Sequence, residues 1–327
     1  MNEILALAAD NLLSPIILSF ALGLGAALAR SDLSVPEAAA KAMSIYLLFA
    51  IGVKGGVSVS EHGLGPDLIA AIGAGIMLSF GLPFVAFGLL SVLTGLSRID
   101  RAAVAGHYGS ISIVTFVAAS TVLEGQGIFA EGYMVAVAAA MEAPAILSAL
   151  WLVSREGGRP AGNDGLMREI LLNGSIVLLV GSFAIGVITG AEGLEQIDSF
   201  IVAPFQGVLC LFLLDMGLVA GRGLRQARSS GLGRGAILFG MAMPLVGASL
   251  GLVAGLLCGL AAGGVALMMV LSASASYIAV PAAMRVALPE ANPSVYLTLS
   301  LGVTFPFNLT LGIPLYIAVA SALAGAG

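Results

Sequence analysis

The sequence predicts an all-α membrane protein of ten transmembrane helices, arranged as a 5+5 inverted repeat with two broken helices crossing at the midplane. Three observations predict it: an apolar composition interrupted at regular intervals, a one-sided distribution of arginine, and a short serine element that occurs once in each half. Of the 327 residues, 59% are hydrophobic and 9% are charged, whereas a soluble domain carries roughly 25% charged residues. Most side chains must therefore face lipid or other apolar helices. A hydrocarbon layer about 30 Å thick takes about 20 residues of helix, which leaves room for roughly ten spans and no soluble domain.

Breaks rich in glycine, proline and charge place the spans near 13–30, 36–58, 67–94, 101–122, 131–154, 168–190, 199–221, 234–260, 264–286 and 293–323. Arg30, Arg98, Arg101, Arg155, Arg159, Arg168, Arg222, Arg225, Arg228, Arg234 and Arg285 follow odd-numbered segments, with Lys41 opening the second span. The loops after even-numbered segments carry no lysine or arginine. Basic loops stay cytoplasmic, so both termini are expected outside, in a cell inner membrane. The acidic stretches Glu61 to Asp67, Glu124 to Glu131 and Glu192 to Asp198 are then expected to face out as well.

Other classes find little support. A net charge of -5 without a basic patch argues against nucleic-acid binding. Cys210 and Cys258 sit in apolar runs without metal-ligand or CxxC spacing, so they are expected to be small packing residues. The amino terminus MNEILALAAD is acidic and lacks the charged region and cleavage site of a secretory leader, so no removable leader is expected.

The repeat divides the chain into a first five-helix unit at 1–154, a cytoplasmic linker at 155–167 and a second, inverted unit at 168–327. Aligning the fourth segment with the ninth superposes Ser110 on Ser274 and Ser112 on Ser276. Tyr133 and Pro144 answer Tyr296 and Pro306, and Pro83 answers Pro244. An odd number of spans per half forces the second half to be inverted. Repeats of this kind are a signature of secondary transporters.

In hydrocarbon a helix satisfies its own backbone, so an interruption is tolerable only where protein or a water-filled cavity meets the freed groups. The interruptions are Gly106 to Ser112 and Ser272 to Ser276. If the following half-helices begin near Ser112 and Ser276, their positive dipole ends converge, and with serine hydroxyls they form an anion site. Serine and glycine at helical spacing also serve as plain packing faces between membrane helices. The recurrence of the element at equivalent positions favours the anion site.

An ionisable residue inside a span tends to mark function. Glu142, near mid-depth in the fifth segment, is the leading cation or proton contact, and Thr115, Thr304 and Asn308 offer further oxygen ligands for Na⁺. Asp215 reads equally as a partner of the Arg222 region, Lys54 as a side chain snorkelling to the interface, and His107 as a satisfied core histidine. Pro144, Pro306 and Pro314 are expected to kink or unwind their spans and free carbonyl groups.

The stretches LSPIILSFALGLGAAL from Leu13, HYGSISIVTFVAASTVLE from His107, MEAPAILSAL from Met141 and PAAMRVALPEANPSVY from Pro281 resemble the sodium-dependent bicarbonate transporter family, over the whole chain. The resemblance implies a core and a gate domain, a homotrimer, and Na⁺-coupled uptake of bicarbonate held between the two broken helices. Carried over by position, it implies Gly109, Ser110, Ser112, Ser274 and Ser276 as anion contacts, with the sodium ligands beside them. The chain departs from the family pattern at Tyr277, where an acidic residue stands, at Ala279, where a serine stands, and at Ile113 and Val114, where Gly-Ser stands. Its linker is also short, and regulation by a PII-like protein does not carry over automatically. No cofactor is expected beyond Na⁺ as coupling ion. The function expected is secondary active uptake of bicarbonate or a similar small anion by alternating access. The alternatives are a passive anion channel or a symporter of another small carboxylate. An intramembrane enzyme, with His107 and Ser110 as base and nucleophile, is not expected because nothing in the sequence orients His107.

Overall fold

The computed structural model describes residues 13–62, 65–142, 144–154, 174–229, 233–277, 280–281, 284 and 288–324. The linker expected at 155–167, together with Ala279 and Arg285, lies outside the described residues. The described elements are α1 (Pro15–Leu28), α2 (Glu37–His62), α3 (Pro66–Leu93), α4 (Arg98–Gly109), α5 (Ile113–Gly125), α6 (Met134–Ala140), α7 (Pro144–Ser154), α8 (Gly174–Ile201), α9 (Phe205–Ser229), α10 (Arg234–Leu257) and α11 (Ala262–Ala273). A final helical run, α12 (Pro293–Ala324), closes the described chain. Eight apolar stretches are long enough to cross a bilayer among the described residues, and α1 and α11 are shorter apolar helices. The chain is a multi-pass membrane protein.

Local chemistry sets several helix starts. Ser14 accepts from the Ile17 amide ahead of Pro15 in α1, and Ser97 accepts from the Asp100 amide to open α4. Asn292 accepts from Ser294 ahead of Pro293 in α12. In each case a short polar side chain satisfies an amide that the first helical turn cannot. Pro83 and Pro244 lie inside α3 and α10 without ending them.

Three expectations need correction. The acidic stretch Glu192 to Asp198 is not a loop: α8 continues to Ile201 past a bend at Gly190, whose φ of 60° is open to glycine without strain. Beyond that bend Leu194 and Ile197 pack inward while Glu192 and Glu195 stay exposed, a periodicity of one amphipathic turn that the acidic residues conceal in the sequence. Pro306 and Pro314 do not unwind the tenth segment. Instead, α12 widens into π-helical turns over Thr298–Thr304 and Asn308–Gly312 and remains continuous. The break at Pro144 does occur, between Ala140 and Pro144, but Ser79 Oγ donates to the freed Met141 carbonyl at 2.5 Å.

The helices sort into two bundles. In the first, α1 packs along α9 and α2 along α8. Glycine makes both crossings possible: a Cβ on Gly23 would lie 2.0 Å from Leu214 O, on Gly217 2.2 Å from Phe20 O, on Gly56 2.0 Å from Phe183 O and on Gly186 2.2 Å from Val53 O. Backbones in such contact admit no side chain between them. In the second bundle α3 packs on α4 and α6, α10 on α11, α4 on α7, and α11 on α5 and α12. Its two halves are clasped at opposite ends. The Gly263 amide donates to Phe129 O and Ala261 to Glu131, while the Asn292 amide donates to Asp100 Oδ1.

The seam between the bundles is loosely filled. Cavities of about 250 Å³ between α2 and α5, about 520 Å³ between α1, α9 and α5, and about 330 Å³ between α6 and α8 lie along it. Two of them sit towards the acidic end, beside Glu124 and Gln126. Towards the arginine end α9 packs directly on the beginning of α12.

Candidate functional site

The serine elements meet. α4 ends at Gly109 and α5 begins at Ile113, and α11 ends at Ala273 with Ser274, Ala275 and Ser276 extended beyond it. The Ser112 amide donates to Ser274 Oγ at 2.9 Å, and the Ser276 amide donates to the His107 carbonyl at 2.8 Å. Two breaks far apart in sequence thus satisfy part of each other's backbone, as interrupted helices in hydrocarbon must.

Each hydroxyl then has a distinct account. Ser112 is the N-cap of α5, and its Oγ accepts from the Thr115 amide at 3.3 Å and from Thr115 Oγ1 at 2.8 Å. A hydroxyl oxygen that already accepts is polarised towards donating, and the Tyr277 hydroxyl lies beside it. Ser274 Oγ accepts from Ser112 and donates to Leu271 O at 2.9 Å, so its proton is used. Ser276 Oγ accepts from the Val280 amide at 3.4 Å. Ser110 differs from all three: it is 0% exposed and its Oγ has no partner. Gly109 serves close packing, since a Cβ there would meet Pro83 Cγ at 2.4 Å and Ser79 O at 2.7 Å. Ile113 and Val114 occupy the first turn of α5, whose amides the helix itself cannot satisfy.

The cation candidates are dispersed. Thr115 stands at the crossing. Asn308 reaches it from α12, donating to Ala273 O at 2.8 Å and accepting from Tyr316 OH at 2.9 Å. Thr304 donates to Gly240 O at 2.7 Å and shares a 2.6 Å hydrogen bond with Tyr108 OH, so it ties α12 to α10 and α4. Glu142 is buried at the α6–α7 break with Oε2 unpartnered, and among the described residues no hydrogen bond joins it to the other candidates. Among the described residues, no group of three His, Cys, Asp or Glu side chains is placed to hold a metal.

The structure also shows polar groups that were not among the expected contacts. Ser272 Oγ is buried without a hydrogen-bond partner in the last turn of α11, and beyond the break the buried Tyr277 OH lies beside the Ser112 hydroxyl. Tyr277 packs edge-on against Phe305 at 5.4 Å. His107 donates from Nδ1 to Ala103 O at 2.7 Å, which leaves Nε2 as an unpartnered acceptor, and its ring stacks on Tyr296 at 4.4 Å. It is therefore oriented, though only half satisfied. Lys54 does not merely snorkel but pairs with Glu124. Both cysteines are free.

Two interrupted helices that meet at buried, partly unpartnered polar groups inside a lipid-facing helical protein define a polytopic membrane protein with a polar site at mid-span. The chain belongs to the Na⁺-dependent bicarbonate transporter superfamily, whose profile matches residues 15–321. Among curated proteins, none matches the chain.

Proposed function

We propose that the protein is a secondary active transporter that takes up bicarbonate or a similar small anion with Na⁺, by alternating access of the two bundles about the crossing. The observation that carries this reading is the unpartnered Ser110 hydroxyl at the meeting of two helix breaks. A buried polar group without a partner is rare and calls for one that the protein alone does not supply. The start of α5 adds the favourable end of a helix dipole, and Ser276, whose oxygen accepts from the Val280 amide, has a proton to donate. Thr115 and Asn308 are the cation ligands nearest this point, with Thr304 one turn from Asn308 along α12 and Glu142 a second, separate cation contact. A loosely filled seam between bundles is where relative motion meets least packing resistance.

An inverted repeat is part of the same proposal. The pairings of α1 with α9 and α2 with α8 exchange under a shift of numbering that varies only from 161 to 164: Gly23 and Gly186 differ by 163 positions, Gly56 and Gly217 by 161, Ser110 and Ser274 by 164, and Pro83 and Pro244 by 161. A homotrimer in a cell inner membrane, with both termini outside, is the assembly expected with it. Orientation is tested by an impermeant thiol reagent on a background without Cys210 and Cys258. Glu195→Cys should label from outside and Arg225→Cys should not, and labelling of both from one side removes the assigned topology.

Uptake of labelled bicarbonate into proteoliposomes should be concentrative with an inward Na⁺ gradient and collapse without it. Uptake that merely equilibrates, indifferent to Na⁺, would make the protein a passive facilitator. In the same assay Glu142→Gln should leave assembly intact and raise the Na⁺ concentration for half-maximal uptake about tenfold, the effect of losing about 1.4 kcal/mol of cation binding. An unchanged Na⁺ dependence in folded protein would leave Glu142 a structural residue.

A further inference from the structure

The cavity of about 250 Å³ has one wall from each bundle: Lys54 and Ser58 of α2 on one side, Ser120 and Glu124 of α5 on the other. Lys54 Nζ donates across it to both carboxylate oxygens of Glu124, at 2.8 and 3.1 Å. The same ammonium stands 5.6 Å from the centre of the Phe205 ring at the start of α9. One cation therefore ties α2 and α9 of the first bundle to α5 of the second. Deeper in, the cavity is lined by Phe116 and Val117, about one helical turn beyond Ser112. Phe116 is buried, so an apolar plug separates the cavity from the crossing.

We propose that this cavity is the outer antechamber of the transport path, and that the Lys54–Glu124 pair is a latch across it which holds the bundles in the present conformation and parts when they move. The proposal rests on the transport reading above. The pair joins parts that must separate in alternating access, whereas the glycine crossings join parts that move together. Its exposure, 30% for Lys54 and 61% for Glu124, makes it a weak fastener. Exposed pairs contribute little to folding, yet the same strength biases an equilibrium between two conformations by about two- to fivefold. Once parted, it leaves an ammonium and a carboxylate at the mouth, complementary to an anion and a cation arriving together.

The test uses the full chain in proteoliposomes, with Cys210→Ala and Cys258→Ala, and spin labels at Glu61→Cys and Gly125→Cys, two exposed positions at the outer ends of α2 and α5. Two distance populations are expected. Glu124→Gln, or Lys54→Met as a second variant, should lower the share of the present, shorter-distance population about two- to fivefold. The exchanged pair, Lys54→Glu with Glu124→Lys, should restore it. A single distance, or a ratio that neither neutralising variant moves, overturns the latch. Because the distances are read without uptake, shifting distances in a protein that shows no Na⁺-dependent bicarbonate uptake would support the latch while removing the substrate reading.

Discussion

Ser110→Ala should leave the melting temperature unchanged or raised while weakening bicarbonate about tenfold or more. The two effects have opposite signs because they arise in different states of the protein. Without ligand, the Ser110 hydroxyl is buried with no partner, and an unmet hydroxyl carries a desolvation cost of about 1–3 kcal/mol that alanine removes. With an anion bound, the same hydroxyl makes a charge-assisted hydrogen bond worth about 1.5–3 kcal/mol, which alanine forfeits. Ser112→Ala behaves differently, because Ser112 caps α5 and its loss costs about 1 kcal/mol of stability as well as affinity. Thermal unfolding in detergent and the apparent constant for uptake separate the two. A destabilised Ser110→Ala protein with unaltered affinity would make Ser110 a packing residue and dissolve the anion site.

Gly186→Val should cost about 3 kcal/mol, the upper end of what overpacking costs, and deplete the folded protein. Any Cβ at this position falls 2.2 Å from Val53 O and 3.0 Å from Gly56 Cα, and these are backbone atoms that cannot turn aside. The α2–α8 crossing would have to widen along its length. Gly181→Val, five residues earlier on the same helix, is the control, since nothing lies within 4 Å of a Cβ there. The yield of monodisperse protein decides the matter: equal yields for the two variants would mean that the crossing is not a close one.

Much of the fold is written in local patterns. Apolar runs and the glycine-, proline- and arginine-bearing breaks between them mark helices to within a turn at most ends, because each signal is decided by neighbours in the chain. The break pairs were visible for the same reason: Ser110 to Ser112 and Ser274 to Ser276 announce interruptions wherever they occur. What each serine does was not visible. Whether Ser274 spends its proton on Leu271, and whether Ser110 finds no partner, depend on how two remote segments cross. The Lys54–Glu124 pair joins positions 70 apart and has no periodic trace. Nor does the Ser79 hydroxyl that occupies the Met141 carbonyl, which the sequence alone leaves free for a cation.

The widened turns of α12 carry a consequence in helical phase. An α-helix advances about 100° per residue, so each wide turn that takes in one extra residue rotates everything after it by about that angle relative to an unbroken helix. With two such turns, at Thr298–Thr304 and Asn308–Gly312, the face led by Tyr316 and Ile317 points about 200° away from where a plain count from Pro293 would put it. This lets one continuous span present Thr304 to α4 and α10, Asn308 to the end of α11, and Tyr316 back onto Asn308. Among the described spans only α12 contains such turns.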